Sequence, residues 1–406
     1  MHPQAATLWR YPHWTLAVLL AGLGMIGPFS IDTYLPAFEG IARSTGATPV
    51  QLQQTLSSYL AGFAVMNLFH GALSDCFGRR PVVLGGMALF TLASVGCALA
   101  QHIETLILFR ALQGVSAGAG MVVSRAVIRD LFPPSEAQRV MSQVTIFFGV
   151  APAIAPLVGG YLYVHADWHA IFWFLAGVGL LLLAVNWRLL PESLPPESVQ
   201  AFAVKPLMRG YSGLLRSPRF LLLVLASGIP FNGMFLYVLA APTFLGQHLG
   251  FAPTQYFWFF LCTIGGIMGG AFLSGRLAGQ VRPHVQIRRG FSIMVSATLA
   301  NLLLNLLLPA YALLSLPLIG LFSLGWALMV PVVTLMVLDQ APDRRGMASS
   351  LQSAIAAGAN ALVAGALVPL VMHSLVALAF TSAAFMLVGL VAWRTVRRVL
   401  PVNPDA

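Results

Sequence analysis

Twelve apolar stretches, each close to the ~20 residues that cross a bilayer as a helix, recur along this chain. They fall at 14–36, 51–72, 82–100, 105–128, 140–163, 169–190, 219–245, 254–275, 289–308, 313–338, 347–371 and 374–394. No soluble core absorbs that much apolar surface, because the outside of a folded chain must be covered by polar groups. Composition agrees: 58% of the 406 residues are hydrophobic and 8% charged, against about 25% charged in soluble domains. The expected class is an all-α membrane protein of twelve transmembrane helices. The first apolar run is too long for a signal-peptide core and lacks a small-residue cleavage pattern, so it reads as the first span.

A net charge of +10 raises the question of nucleic acid. The basic residues answer it, since they form short clusters between spans rather than one long patch. Of the 22 Lys and Arg residues, Arg110 and Arg125 fall within spans. If the N-terminus is cytoplasmic, Arg43 alone falls on the outer side. The positive-inside rule then places both termini in the cytoplasm and leaves no expectation of nucleic-acid binding. Cys76, Cys97 and Cys262 are scattered, with no ligand spacing, so neither a disulfide framework nor a metal site is expected. No cofactor is expected either.

The longest interruption, 191–218, holds Pro191, Pro195, Pro196 and Pro206. It divides the chain into an N-terminal six-helix bundle (1–190), a cytoplasmic linker (191–218) and a C-terminal six-helix bundle (219–406). The first span is expected to break at Gly27-Pro28 and the seventh at Gly228 and Pro230. Interrupted spans at corresponding places in two halves point to a substrate site between repeats. Simple packing kinks account for such prolines equally well.

Charges inside spans are costly, so each is a functional candidate. Asp32 lies about four residues from the outer end of span 1 and Arg110 about five from the outer start of span 4, roughly 6–8 Å deep for both. The shared depth suggests a pair. Arg keeps its proton and a carboxylate need not, so Asp32 is the switchable member. Beside Arg110 the carboxylate is favoured; separated from it, the protonated acid is. The alternative is a static ion pair that fixes packing. Arg125 shares a broad face with Arg110, Gly114, Ala117 and Met121, and could contact substrate or snorkel to the cytoplasmic surface. Tyr34, Tyr59, Asn67, Gln113, Asn232, Tyr237, Gln352 and Asn360 bring polar groups to spans expected near a cavity. Interhelical hydrogen bonds explain any one of them as well.

The most specific string follows span 2: Gly71-Ala72-Leu73-Ser74-Asp75-Cys76-Phe77-Gly78-Arg79-Arg80-Pro81. It resembles the loop between helices 2 and 3 of the major facilitator superfamily, and Arg110-Ala-Leu-Gln-Gly114 resembles that superfamily's Arg-x-x-Gln-Gly motif. The stretch Gly149–Gly160, with Pro152, Pro156 and Gly159, is similar to an antiporter motif but departs at Ala153 and Ala155. Gly149, Ala153, Pro156 and Gly160 also form a stripe on which another helix packs closely. Ser30-Ile-Asp32-Thr-Tyr34-Leu-Pro-Ala37, Ser58-Tyr59-Leu-Ala-Gly-Phe63, Arg129-Asp-Leu-Phe132 and Trp168-His-Ala-Ile-Phe-Trp173 resemble the bicyclomycin- and chloramphenicol-resistance (Bcr/CflA) drug exporters. That resemblance covers most of the first half. The second half is less diagnostic: Gly346-Met-Ala-Ser-Ser-Leu351 fits, but the 276–289 loop has lost the motif's Asp.

The resemblance implies a proton-coupled secondary transporter that exports small amphiphilic compounds by alternating access, with Asp32 as helix-1 acid. Asp75, Arg79 and Arg80 would latch a gate. Expected partners are a small-molecule substrate, protons and the lipid of a bacterial inner membrane, with the chain acting as a monomer. A transporter of one metabolite and a non-transporting receptor are the competing readings. No H-E-x-x-H or G-x-S-x-G suggests an enzyme.

Overall fold

A computed structural model describes residues 9, 12–132, 134–196, 199, 203–278, 280–341 and 345–399. Among these, all regular structure is helical. The chain divides into two compact units, Met1–Ala203 with Pro253–Gln255, and Val204–Ala252 with Tyr256–Ala406.

The first unit holds α1 (His13–Asp32), the short α2 (Phe38–Thr45), α3 (Pro49–Phe77), α4 (Arg79–Ala98), α5 (Ile103–Leu131), α6 (Pro134–His165) and α7 (Trp168–Leu189). Starts and stops follow local chemistry. Thr48 and Gln51 form a capping box at α3, with Pro49 in the first turn, where its missing N–H costs nothing. Asp167 caps α7 by accepting from the His169 and Ala170 amides.

The expected break at Gly27-Pro28 does not occur: α1 runs through Pro28 to Asp32, and a 3-10 turn follows at Leu35–Ala37. Proline removes one backbone hydrogen bond. The carbonyl that Pro28 leaves without a helical donor is that of Gly24; the Gly27 carbonyl, next to the ring, accepts from Tyr59 Oη and Ser30 Oγ, each at 3.0 Å.

In the second unit, α8 (Val204–Leu215) buries Tyr211 and exposes Lys205 and Arg209. The seventh span is broken as expected: α9 (Pro218–Gly228) and α10 (Phe231–Leu239) meet at 47° and continue into a π-helical turn, Pro242–His248. Then follow α11 (Phe257–Leu277), α12 (Pro283–Leu307), α13 (Ser315–Leu338), α14 (Arg345–Leu362), a second π-helical turn (Val363–Leu367), α15 (Val368–Val371) and α16 (Leu375–Val399).

Ten helices among the described residues are long and apolar enough to cross a membrane, and the bent α9–α10 pair makes eleven. The remaining expected span, 140–163, lies within α6, where most side chains before residue 150 are outside the described residues. The chain is a multi-pass membrane protein.

Candidate functional site

Arg110 lies two turns into α5 and is completely buried. Its Nη1 donates to Gln113 Oε1 at 2.8 Å and to the Ser30 carbonyl at 3.3 Å. Gln113 Nε2 in turn donates to Ser94 Oγ at 2.7 Å, so α1, α4 and α5 are tied through one guanidinium. The carbon of that guanidinium stands 4.4 Å from the Tyr59 ring centre and 4.8 Å from that of Tyr34. Desolvated cation–π contacts of this kind contribute about 2 kcal/mol. Each ring is pinned by its hydroxyl: Tyr34 shares a hydrogen bond of 2.7 Å with Thr55, and Tyr59 accepts from Ser30 Oγ at 2.9 Å while donating to Gly27. The close approach of α3 and α5 depends on Gly114, where a Cβ would fall on the Tyr59 carbonyl. Nε and Nη2 of Arg110 have no hydrogen-bond partner among the described residues.

Asp32 is 5% exposed. The expected contact with Arg110 is not made here: the ion pairs among the described residues are Arg43–Glu39, Arg79–Asp75, Arg79–Asp130 and His169–Asp167. Matched depth fixes height along a helix but not rotation about it. Ser30, whose carbonyl and hydroxyl face Arg110 and Tyr59, sits two residues before Asp32, which turns the carboxyl roughly 200° away around the axis. The acid and the cation thus make no ion pair with each other.

The polar residues expected around a cavity separate into groups. Tyr34, Tyr59 and Gln113 converge on Arg110. Asn67 is buried on α3 with Oδ1 unpartnered. Arg125 is exposed and makes no hydrogen bond or ion pair among the described residues. In the second unit, Asn232 is buried just after the α9–α10 break, with neither amide atom bonded. Tyr237 accepts from Asn301 Nδ2 at 2.8 Å, Gln352 Nε2 donates to Ser227 Oγ at 3.1 Å, and Asn360 Oδ1 lacks a partner. These four are not joined to one another by hydrogen bonds. Asn301 extends to Asn305 and Ser315 in a buried network that no motif announced, although the i, i+4 pair of asparagines in an apolar span was its visible trace.

The turn between α3 and α4 gathers charge. Arg79, almost fully buried, donates from Nε to Asp130 Oδ2 at 3.0 Å and from Nη1 to Ser74 Oγ at 2.6 Å, and pairs with Asp75. Glu192, at the start of the interruption, accepts from the Arg79 and Arg80 amides at 2.9 and 3.1 Å. A carboxylate at a helix N-terminus satisfies orphan amides and opposes the helix dipole. Gly78 adopts φ +97°, and a Cβ there would strike Glu192. Gly71 faces Val122 across the neighbouring helix at van der Waals range. Sequence reasoning missed Glu192. An acid next to Pro191, just after the last apolar residue, was the available signal.

In α6, Pro152 and Pro156 lie inside the helix. A Cβ on Gly159 would overlap the backbone of Thr33, just past the end of α1, and one on Gly160 would lie 2.7 Å from the Pro253 carbonyl. The surroundings of Gly149 lie outside the described residues.

Residues 16–365 match the Major Facilitator Superfamily. The chain is similar to a bicyclomycin resistance protein homolog of Haemophilus influenzae, 29% identical over 91% of this chain and 93% of the relative. It is also similar to the uncharacterized MFS-type transporter YdgK of Bacillus subtilis, 33% identical over 72% and 73%. A third relative is the multidrug resistance protein MdtL of Escherichia coli, 31% identical over 64% and 66%. Among solved structures, the human organic anion transporter MFSD10 shares the fold at TM-score 0.66 and 19% identity, covering 95% of this chain and 100% of that one. A D-xylose-proton symporter does so at 0.67 and 16%, covering 97% and 98%.

Proposed function

We propose that this chain, which belongs to the major facilitator superfamily, is a proton-coupled exporter of small amphiphilic compounds in a bacterial inner membrane. The relatives named for bicyclomycin and multidrug resistance support drug export. The observation that carries the coupling is the arrangement around Tyr59. A buried arginine is held by two tyrosine faces and an amide and donates to the carbonyl of Ser30; two residues on from Ser30, the buried acid Asp32 has no partner among the described residues.

An isolated ionised group is expensive in a low-dielectric interior. Asp32 can escape that cost by carrying a proton, or by moving to Arg110, whose Nε and Nη2 have no hydrogen-bond partner among the described residues. One helix rotation converts one arrangement into the other. Substrate that enters when Asp32 is charged and leaves when it is neutral is thereby exchanged for a proton. Arg110 cannot readily deprotonate, so it serves as the fixed pole of the switch. The Arg79–Asp75–Asp130 cluster closes the cytoplasmic end of the bundle, where gate latching belongs. Arg125, exposed and unpaired, is assigned to substrate contact.

The test is the pH change that candidate compounds, bicyclomycin included, induce in inverted vesicles carrying the full chain, with Asp32→Asn as the control. The expected result is proton release on addition of substrate to wild type and none in the variant. An Asp32→Asn protein that exports against a gradient as well as wild type removes Asp32 from the mechanism.

A further inference from the structure

One buried titratable side chain of the N-terminal bundle has no place in the scheme above. His70, in the cytoplasmic half of α3, is 4% exposed, and its Nδ1 has no hydrogen-bond partner. Asn67, one turn earlier on the same face, is 2% exposed and its Oδ1 is equally unpartnered. Both atoms press on the same spot of α5. A methyl at Gly118 would lie 2.7 Å from Asn67 Oδ1 and 3.1 Å from His70 Nδ1. Two orphaned polar atoms in one helix seam are costly, and in lipid they persist where a function needs them.

The surroundings do not explain them as an ion pair. On the elements packed against α3, the charged groups of this half are Arg79 and Arg80 on α4, and Glu104, Arg110, Arg125, Arg129 and Asp130 on α5, Glu104 at its outer start. Asp75 lies on α3 itself, and Glu39 and Arg43 lie on α2 at its far end. None hydrogen-bonds to the imidazole among the described residues. What the seam does have is direction. The buried polar positions of α3 run from Tyr59, beside Arg110, through Asn67 and His70 to Ser74, which is bonded to Arg79 at the cytoplasmic turn. Tyr59 and His70 are roughly 16 Å apart along the helix, and His70 is roughly 10 Å from its cytoplasmic end. Asp32 sits near the outer side, so a proton it releases inward has most of the bilayer still to cross.

Resting on the coupling proposed above, we infer that His70 is a second proton-carrying group of this bundle. Water admitted when the α3–α5 seam opens carries the proton released by the Asp32 carboxyl to His70 Nδ1. The other ring nitrogen keeps its own hydrogen, so the ring becomes imidazolium. It then returns a proton to water on the cytoplasmic side. Asn67 Oδ1 accepts a hydrogen bond from the transferring water. Imidazole suits the role because, of the polar side chains along this seam, it is the one that can take up a proton and give it back.

Two measurements on the full chain test this. Deuterium exchange at the His70 ring C2 position, followed by mass spectrometry from pH 5 to 9, needs no change at His70. The expected profile is sigmoidal, with a midpoint that moves between wild type and Asp32→Asn; a flat profile in both proteins overturns the inference. In inverted vesicles, His70→Gln keeps a hydrogen-bonding amide but cannot titrate. Its substrate-induced pH change should fall at least fivefold and lose its dependence on bath pH, whereas wild-type amplitude and profile count against the inference. If no compound elicits a pH change from wild-type vesicles, it is the exporter reading that fails, and ring exchange alone decides the matter for His70. The same exchange measurement decides if His70→Gln does not reach the membrane.

Discussion

Tyr59 grips Arg110 and the Gly27 carbonyl of α1 at once. Its ring centre lies 4.4 Å from the guanidinium carbon, while its hydroxyl donates to the Gly27 carbonyl at 3.0 Å. The cation that an acid was expected to neutralise is instead held by aromatic faces, a glutamine and one backbone carbonyl. This leaves Asp32 free to change charge without abandoning a partner, which a locked buried ion pair would not permit.

Separating the two grips gives the first prediction. Tyr59→Phe keeps the ring over Arg110 and loses the hydroxyl, a loss of about 1 kcal/mol. Tyr59→Leu also loses the cation–π contact, about 2 kcal/mol when desolvated. Thermal unfolding of purified protein in detergent should rank wild type above Phe and Phe above Leu. Equal melting for Phe and Leu would show that the ring face contributes nothing.

Helix spacing supplies the second. A Cβ at Gly114 meets the Tyr59 carbonyl, while one at Gly177 on α7 meets nothing within 4 Å. Gly114→Ala must push α3 from α5 and with it the tyrosine from the arginine, so export should drop at least tenfold. Gly177→Ala should melt at or slightly above wild type, because alanine is the better helix former. The comparison is made at matched membrane levels, and comparable activity in both variants would refute the tight crossing.

The spans and the buried charges were legible in the sequence because lipid leaves so few options: apolar length fixes helices, and a charge at depth is conspicuous. Arg110, Gln113, Tyr34 and Tyr59 were legible for that reason, and they do come together. The Asp32–Arg110 contact was not, since spacing along a helix says nothing about how two helices are rotated. Pro28 misled in the opposite sense. Its missing N–H is visible in the sequence, but that the helix runs on through it to Asp32 is not. Glu192 escaped notice because its partners are backbone amides at Arg79 and Arg80, more than a hundred residues earlier, and backbone donors carry no sequence signature.

That cap is the third prediction. Glu192→Ala leaves the Arg79 and Arg80 amides without their acceptor at the start of α4, for about 1–2 kcal/mol. Glu192→Gln retains one oxygen and loses the charge that opposes the helix dipole, for a smaller cost of about 0.5 kcal/mol. Hydrogen exchange at the first turn of α4 should accelerate in that order. Unchanged protection in Glu192→Ala would mean that the linker start does not hold this helix end.

The last prediction concerns acid. Asp167 lies outside the spans and caps α7. Burial pushes its carboxyl up, but this is outweighed by hydrogen bonds from the His169 ring and from the Ala170 and His169 amides, so the group sits below the usual carboxylate range. A carboxylate lowered on folding stabilises the fold above its unfolded value, near 4, and that contribution disappears as pH falls through the lowered folded value. The side chain is 56% exposed, so the cap is worth the low end of the usual range, about 0.5 kcal/mol. Wild type should therefore melt above Asp167→Ala at pH 7, with a gap that narrows as pH falls through the lowered carboxyl range. A gap that widens with acid would mean the carboxyl is raised in the folded state, and the assigned cap would be wrong.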